Sequence, residues 1–151
     1  MMVSDYDPLI IVNQKIREND DSSQLQLKLD TKMLNTIFVQ TEVESEIRKD
    51  HCEICQIRNV KFQGHHIGGW YNDFRQITVC IPCHEILTLW QKIDERVWMK
   101  DNHPYLKLAF FYKGLRDMLI LLTQKRNNFQ YMDIGNSLID TIYYLERSSY
   151  N

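Results

Sequence analysis

The stretch HCEICQIRNVKFQGHHIGGWYNDFRQITVCIPCHE, residues 51–85, decides the fold. It holds all four cysteines of the chain, in two matched C-x2-C pairs, Cys52 with Cys55 and Cys80 with Cys83. Disulfide frameworks of secreted chains usually show irregular spacing and more bridges per residue, so the repeated spacing points to metal. Zinc takes four thiolates in a tetrahedron, and a two-residue spacer lets one tight turn offer two sulfurs about 3.5–4 Å apart. The spacing predicts a structural zinc held by Cys52, Cys55, Cys80 and Cys83. Four unrelated buried cysteines would have no reason to repeat it.

Four cysteines saturate one zinc, which leaves the histidines beside them free for other work, either on a second ion or on protons. Between the knuckles lies Phe62-Gln63-Gly64-His65-His66-Ile67, and His84 follows the second knuckle directly. If residues 62–67 form a strand, the adjacent His65 and His66 point to opposite faces and take different roles. Residues 77–80 read as its partner strand. His84 then falls in the first turn of a helix whose start the zinc knuckle fixes, and the three imidazoles meet where hairpin and helix join. Each histidine also has a plainer reading, a hydrogen bond within the loop for His65 and His66 and a helix-start residue for His84. His51 reads as exposed or as a neighbour of the zinc, and His103 as a cap for a helix opening at Pro104 or as a solvated residue.

Outward from this centre the chain reads as mainly helical. Leu25, Leu27 and Leu29 alternate as a strand would, or lead into a helix. Residues 31–49 place Met33, Leu34, Ile37, Phe38, Thr41 and Val43 near helical spacing, with Asp30 or Thr31 as N-cap and Arg48 and Lys49 where the helix dipole favours cations. In residues 84–98, Ile86, Trp90, Ile93 and Val97 form one stripe. Residues 104–125 open on Pro104 and carry Leu108, Phe111, Tyr112, Leu115, Met118, Leu119 and Leu122 on a wide apolar face. Residues 137–147 repeat the pattern with Leu138, Ile139, Ile142, Tyr143 and Leu145. These aromatic positions read as core or as an interface with another subunit. Residues 18–23, after the short apolar run Leu9 to Val12, read as a loop or an arm that orders on contact.

At 151 residues with 44% hydrophobic content, the chain can bury one core. No apolar run reaches the length of a membrane span and the start lacks a secretory pattern, so a soluble, intracellular and cytoplasmic protein is expected. The net charge of -2 does not advertise a nucleic-acid binder. The imbalance is local: residues 1–50 carry six Lys or Arg against ten Asp or Glu, and residues 99–151 carry seven against five. An anionic partner would meet the middle and the C-terminal parts.

The double knuckle, the central His65-His66-Ile67, the approach Ile77-Thr78-Val79 and the run Cys80-Ile81-Pro82-Cys83-His84 together resemble the HNH endonucleases, the zinc-stapled branch of the ββα-metal nucleases. The resemblance covers about residues 50–90. It implies an α+β fold, a small zinc-stapled β-hairpin plus helix embedded in a mainly helical domain. The corresponding division is an N-terminal arm and helix over 1–49, an HNH-like zinc module over 50–98 and a C-terminal helical hairpin over 99–151, in one compact unit.

The resemblance further implies a phosphodiester hydrolase acting on DNA, with phage, mobile-element, organellar or defence settings all open. By position, His65 and His84 would hold a catalytic divalent ion, Mg, Mn or Zn, and His66 would be the general base. Beside the site, Trp70 and Tyr71 read either as stacking on a base or as packing onto the hairpin, the commoner case, and Lys61, Arg75, Lys113, Arg116, Lys125 and Arg126 either as meeting phosphates or as merely solvated. The family's Asn five places before the third cysteine, which braces the loop between the strands, is replaced by Arg75. Asn72 is a candidate substitute in the loop Gly68 to Phe74. Thr88 stands where some members carry a further ligand, and Glu85 points about 100° round the helix from His84. The alternative is a degenerate HNH-like module that binds DNA or assembles with a protein partner or a second copy through its C-terminal aromatic helices. A plain zinc ribbon with incidental histidines is the third reading.

Overall fold

A computed structural model describes residues 24–150. The readings of Leu9 to Val12 and of residues 18–23 lie outside the described residues. The chain runs α1 (Gln24–Phe38), α2 (Glu42–Ser45), β1 (Phe62–His66), β2 (Gln76–Cys80), α3 (Ile81–Gln91), a 3-10 turn (Glu95–Trp98), α4 (Pro104–Arg126), α5 (Gln130–Asn136) and α6 (Ile139–Ser148). It is a mixed fold, mostly helical, with one small antiparallel sheet. None of the described helices is long and apolar enough to cross a membrane.

The hairpin is in the expected place. Phe62 pairs with Cys80 and His66 with Gln76, so Cys80 and the histidine pair sit at opposite ends of the ladder. A two-stranded ribbon is marginal in water and its outer edge needs covering. Two side chains do this for β2. Gln40 donates to the Gln76 carbonyl at 3.0 Å and accepts from the Gln76 N–H at 2.8 Å. Glu53, from the first knuckle, accepts from the Thr78 N–H at 2.7 Å while its own N–H donates to the Thr78 carbonyl at 2.9 Å. The buried Glu53 carboxylate is neutralised by Lys49.

α4 is the centre of the core. Its buried Phe111, Leu115, Met118 and Leu122 keep the expected apolar face, and α3, α5 and α6 pack against it. His103 caps it, accepting from the Tyr105 N–H at 3.0 Å, which realises the capping role read from Pro104. At Gly114 the helix touches the end of β1: a Cβ there would lie 1.8 Å from the Ile67 carbonyl oxygen. Gly114→Ala would gain about 1 kcal/mol of helix propensity and lose about 3 kcal/mol to overpacking against backbone. A net loss of about 2 kcal/mol in urea denaturation is the expected result.

Four sequence expectations change. The Leu25, Leu27, Leu29 alternation belongs to α1, not to a strand: Leu27 is buried while Leu25 and Leu29 are exposed. α1 ends at Phe38, so Asp30 and Thr31 lie inside the helix and are not its N-cap, and Arg48 and Lys49 follow a separate short helix capped by Thr41. Asp30 instead takes a hydrogen bond from the Tyr131 hydroxyl and pairs with Arg126, which ties α1 to α4 and α5. This partnering is what lets a carboxylate be buried there.

The 84–98 segment is a helix only to Gln91, and Ile93 is 83% exposed. Cys83 is buried in the first turn, so Leu87, one turn on, is the buried position in place of Ile93. Finally, the C-terminal hairpin is three helices. Asn127 in the left-handed conformation stops α4, and Asn128 then accepts from the Gln130 N–H at 3.0 Å to start α5. α5 fills the stretch between the two helical segments read from the sequence.

Candidate metal centre and histidine cleft

The two knuckles bring their four sulfurs within 4.8 Å of one another, and they are the only group of three or more metal-capable side chains among the described residues. Cys55 and Cys80 Sγ are 3.6 Å apart. Four sulfurs around a zinc at ~2.3 Å would be roughly 3.8 Å apart, so the donor set could hold a metal ion and fits zinc. The first knuckle is a tight turn with Gln56 at φ 68°, and its Cys55 N–H points at the Cys52 sulfur from 3.4 Å. The hydrogen bond from Cys83 draws the Cys52 thiol down to about 4 and pushes Cys83 up. Burial raises Cys80 as well, so one thiolate, on Cys52, is favoured and the raised thiols would lose their protons to a bound cation. His51 bonds to Asp50 at 2.9 Å and takes no part in the cluster.

Cys80 ends β2 and is the N-cap of α3, with Pro82 in the first turn. The centre therefore sets where α3 starts and how it is rotated. His84, Thr88 and Gln91 follow at i, i+4 and i+7, one helix face turned toward β1.

On β1, His65 is buried and His66 is half-buried. Their side chains divide as the strand pleat requires. The His65 ring meets the His84 ring edge-on with centroids 5.6 Å apart. The His66 ring lies 4.7 Å from the Trp70 ring. Two imidazoles on one cation would have centroids roughly 5 Å apart, so His65 and His84 are close to a ligand pair. The three imidazoles do not form one three-ligand cluster, which corrects the expectation that all converge on one point. All three histidines nevertheless line one cleft of about 490 Å³, with Trp70 at its rim. Burial pushes His65 down to about 3 and lowers His66 and His84 as well, leaving neutral imidazoles with a lone pair each.

Gln91 escaped the sequence reading. Its amide donates to the His66 carbonyl at 2.8 Å and the Ile67 carbonyl at 3.1 Å, and lies 3.4 Å from His65 Nε2. It pins the end of β1 to α3 just where the histidines sit. The signal available was its place one turn and then another beyond His84. Gln91→Leu strands the Ile67 carbonyl, the His66 carbonyl keeping the Gly69 N–H at 3.1 Å, and is expected to lower stability by about 1–3 kcal/mol in thermal or urea unfolding.

The other expected site residues divide sharply. Trp70 is 67% exposed beside His66, free to stack. Lys61 is exposed at the zinc end of β1, roughly 16 Å of strand from His66 and not among the cleft residues. Arg75, expected to meet phosphate, is committed inward: it grips Asp73 with Nε at 2.8 Å and Nη2 at 2.7 Å, reaches the Phe38 carbonyl, and stacks over Phe111 at 3.6 Å. Its side chain is 16% exposed. Loop bracing falls to Asn72, which donates to the Gly68 carbonyl at 2.9 Å and the Val97 carbonyl at 3.0 Å and accepts from Asn102. Lys113 pairs with Asp94 and Glu146, Arg126 with Asp30, and Arg116 bonds Asn136, so these helical cations serve the fold.

Comparison of the chain with protein-family models, with curated proteins and with solved structures finds no match.

Proposed function

We propose that the protein is a metal-dependent endonuclease of the HNH type that hydrolyses DNA phosphodiester bonds. The observation that carries this reading is the buried His65 facing His84 at 5.6 Å while His66, its neighbour on the opposite strand face, lines the same cleft. His65 and His84 would hold the catalytic divalent ion, and the four cysteines a structural zinc that fixes the helix bearing His84. A divalent ion bound there supplies Lewis-acid stabilisation of the charge growing on the phosphate and the leaving 3′ oxygen. His66 takes a proton from the attacking water as the water oxygen bonds to phosphorus and the P–O3′ bond breaks. Trp70 offers a face on which a nucleobase can stack. Asn72 supports the reading by bracing the loop that Arg75 was not suited to brace.

The second reading, a zinc module that binds DNA or a protein partner without cutting, draws on two observations. Only two histidines stand as ligands for a second ion, and an apolar groove of about 470 Å³ runs between α3, α4 and α6, with Trp90, Ile93, Phe110 and Tyr143 in its walls. Binding of Mn²⁺ to protein mixed with a short DNA duplex, followed by electron paramagnetic resonance, separates the two. The nuclease binds one Mn²⁺ per chain and loses it in both His65→Ala and His84→Ala. The binding module takes up no Mn²⁺ that either variant removes.

A further inference from the structure

Arg48 occupies an unusual place. It follows α2 and crosses the hairpin, where Nη1 donates to the Ser45 carbonyl and Nη2 to Gln76 Oε1, each at 2.9 Å. The guanidinium rests on bare backbone: a Cβ on Gly64 would lie 2.0 Å from Nη2 and 2.3 Å from the Gln76 oxygen. Gly64 and His66 are two apart on β1 and share a face, and Gln76 is the direct partner of His66. Arg48 and Gln76 thus line the histidine cleft from the His66 side.

Its charge also distinguishes it from four of the other described arginines. Arg58, Arg75, Arg96 and Arg126 each pair with a carboxylate. Among the described residues no carboxylate comes within ion-pair distance of Arg48, and both groups that hold it are uncharged. A guanidinium has five N–H donors in a fixed fork suited to phosphate oxygens, and only two directions are occupied here. The result is a pre-positioned cation with no ion-pair partner in the wall of a cleft that Glu46 also lines.

We propose that Arg48 is a phosphate-binding residue, its free guanidinium N–H groups holding a nonbridging oxygen of a polynucleotide phosphodiester next to His66. This deepens the nuclease reading and rests on it for the identity of the ligand. Gln76 and Ser45 are positioning residues, and Gly64 is the residue that lets the fork lie flat against the strand.

The test is equilibrium binding of a fluorescent DNA duplex over a series of salt concentrations, with plasmid cleavage read in parallel. Arg48→Gln is expected to weaken duplex binding about 10-fold, as the loss of a charged hydrogen bond does. It is also expected to flatten the slope of log K against log salt by about 0.9, the signature of one lost phosphate contact, which a merely structural role would not move. Lys28→Gln, which removes the same charge from the exposed face of α1, leaves the slope at the wild-type value.

If Arg48→Gln does not fold, Arg48→Lys carries the test: the slope is retained while affinity falls about threefold, because an ammonium cannot reproduce the fork. Wild-type slope and affinity in a folded Arg48→Gln protein, unchanged affinity in Arg48→Lys where that variant carries the test, or no duplex binding by wild type, would overturn the proposal. A flattened slope in protein that leaves the plasmid intact with every divalent ion tried would sustain the phosphate site and reject the nuclease reading.

Discussion

Cys80→Ser is expected to unfold the zinc-centred part of the molecule. Cys80 ends β2, caps α3 and places its sulfur 3.6 Å from Cys55, so three elements depend on one ligand. A serine hydroxyl does not replace a thiolate, and structural zinc contributes apparent binding free energies on the order of 10–16 kcal/mol that are largely folding free energy. Since a domain's whole stability is about 5–15 kcal/mol, losing even part of that term exceeds what the hairpin retains. Elemental analysis should fall from one zinc per chain to none, and the cooperative thermal transition should disappear or drop by tens of degrees. A Cys80→Ser protein that melts like wild type would show that packing alone holds the hairpin.

His66→Ala is expected to abolish DNA cleavage while sparing the fold. The His66 ring is half-buried, its contact is the face of Trp70, and the strand it belongs to is held through its backbone by Gln91 and by the ladder to β2. Removing the ring therefore costs about 1 kcal/mol or less in unfolding experiments, typical of a partly exposed substitution. Removing a general base costs about 10²–10⁴ in rate. Single-turnover plasmid nicking should fall by at least 100-fold with the zinc content and melting temperature of the wild type retained. Nicking at the wild-type rate would place the base elsewhere.

The parts of the fold legible in the sequence are those where chemistry imposes spacing. Two C-x2-C knuckles announce a metal centre because one tight turn must deliver two thiolates. The strands at 62–66 and 76–80 fall close to the 62–67 and 77–80 read around the histidine pair and the approach to Cys80, and α4 follows from Pro104 and its wide apolar face. What stayed hidden is the work of polar side chains on backbone. Gln40 and Glu53 close the edge of β2, Gln91 pins β1 to α3, and Arg48 lies on Gly64, yet none of these contacts leaves a period in the sequence. Their partners are 16 to 36 residues away.

Arg75 illustrates the same limit from the other side. A basic residue beside a candidate active site reads as a phosphate ligand, but Asp73 two residues earlier and Phe111 from α4 claim it. The role expected of that position passes to Asn72, whose two backbone carbonyl partners come from its own loop and from the 3-10 turn. The alternation at Leu25, Leu27 and Leu29 misled for a related reason: only tertiary contact decides that Leu27 is inside and its neighbours are not.

Conversion of supercoiled plasmid by the purified wild-type protein, with zinc loaded and Mg²⁺, Mn²⁺ or Zn²⁺ added in turn, addresses the proposed function most directly. Nicked or linear product that depends on an added divalent ion and is lost in His66→Ala is the expected outcome. Intact supercoiled plasmid with every ion, from protein that is folded and still binds DNA or a protein partner, would mean that the histidine cleft does not cut.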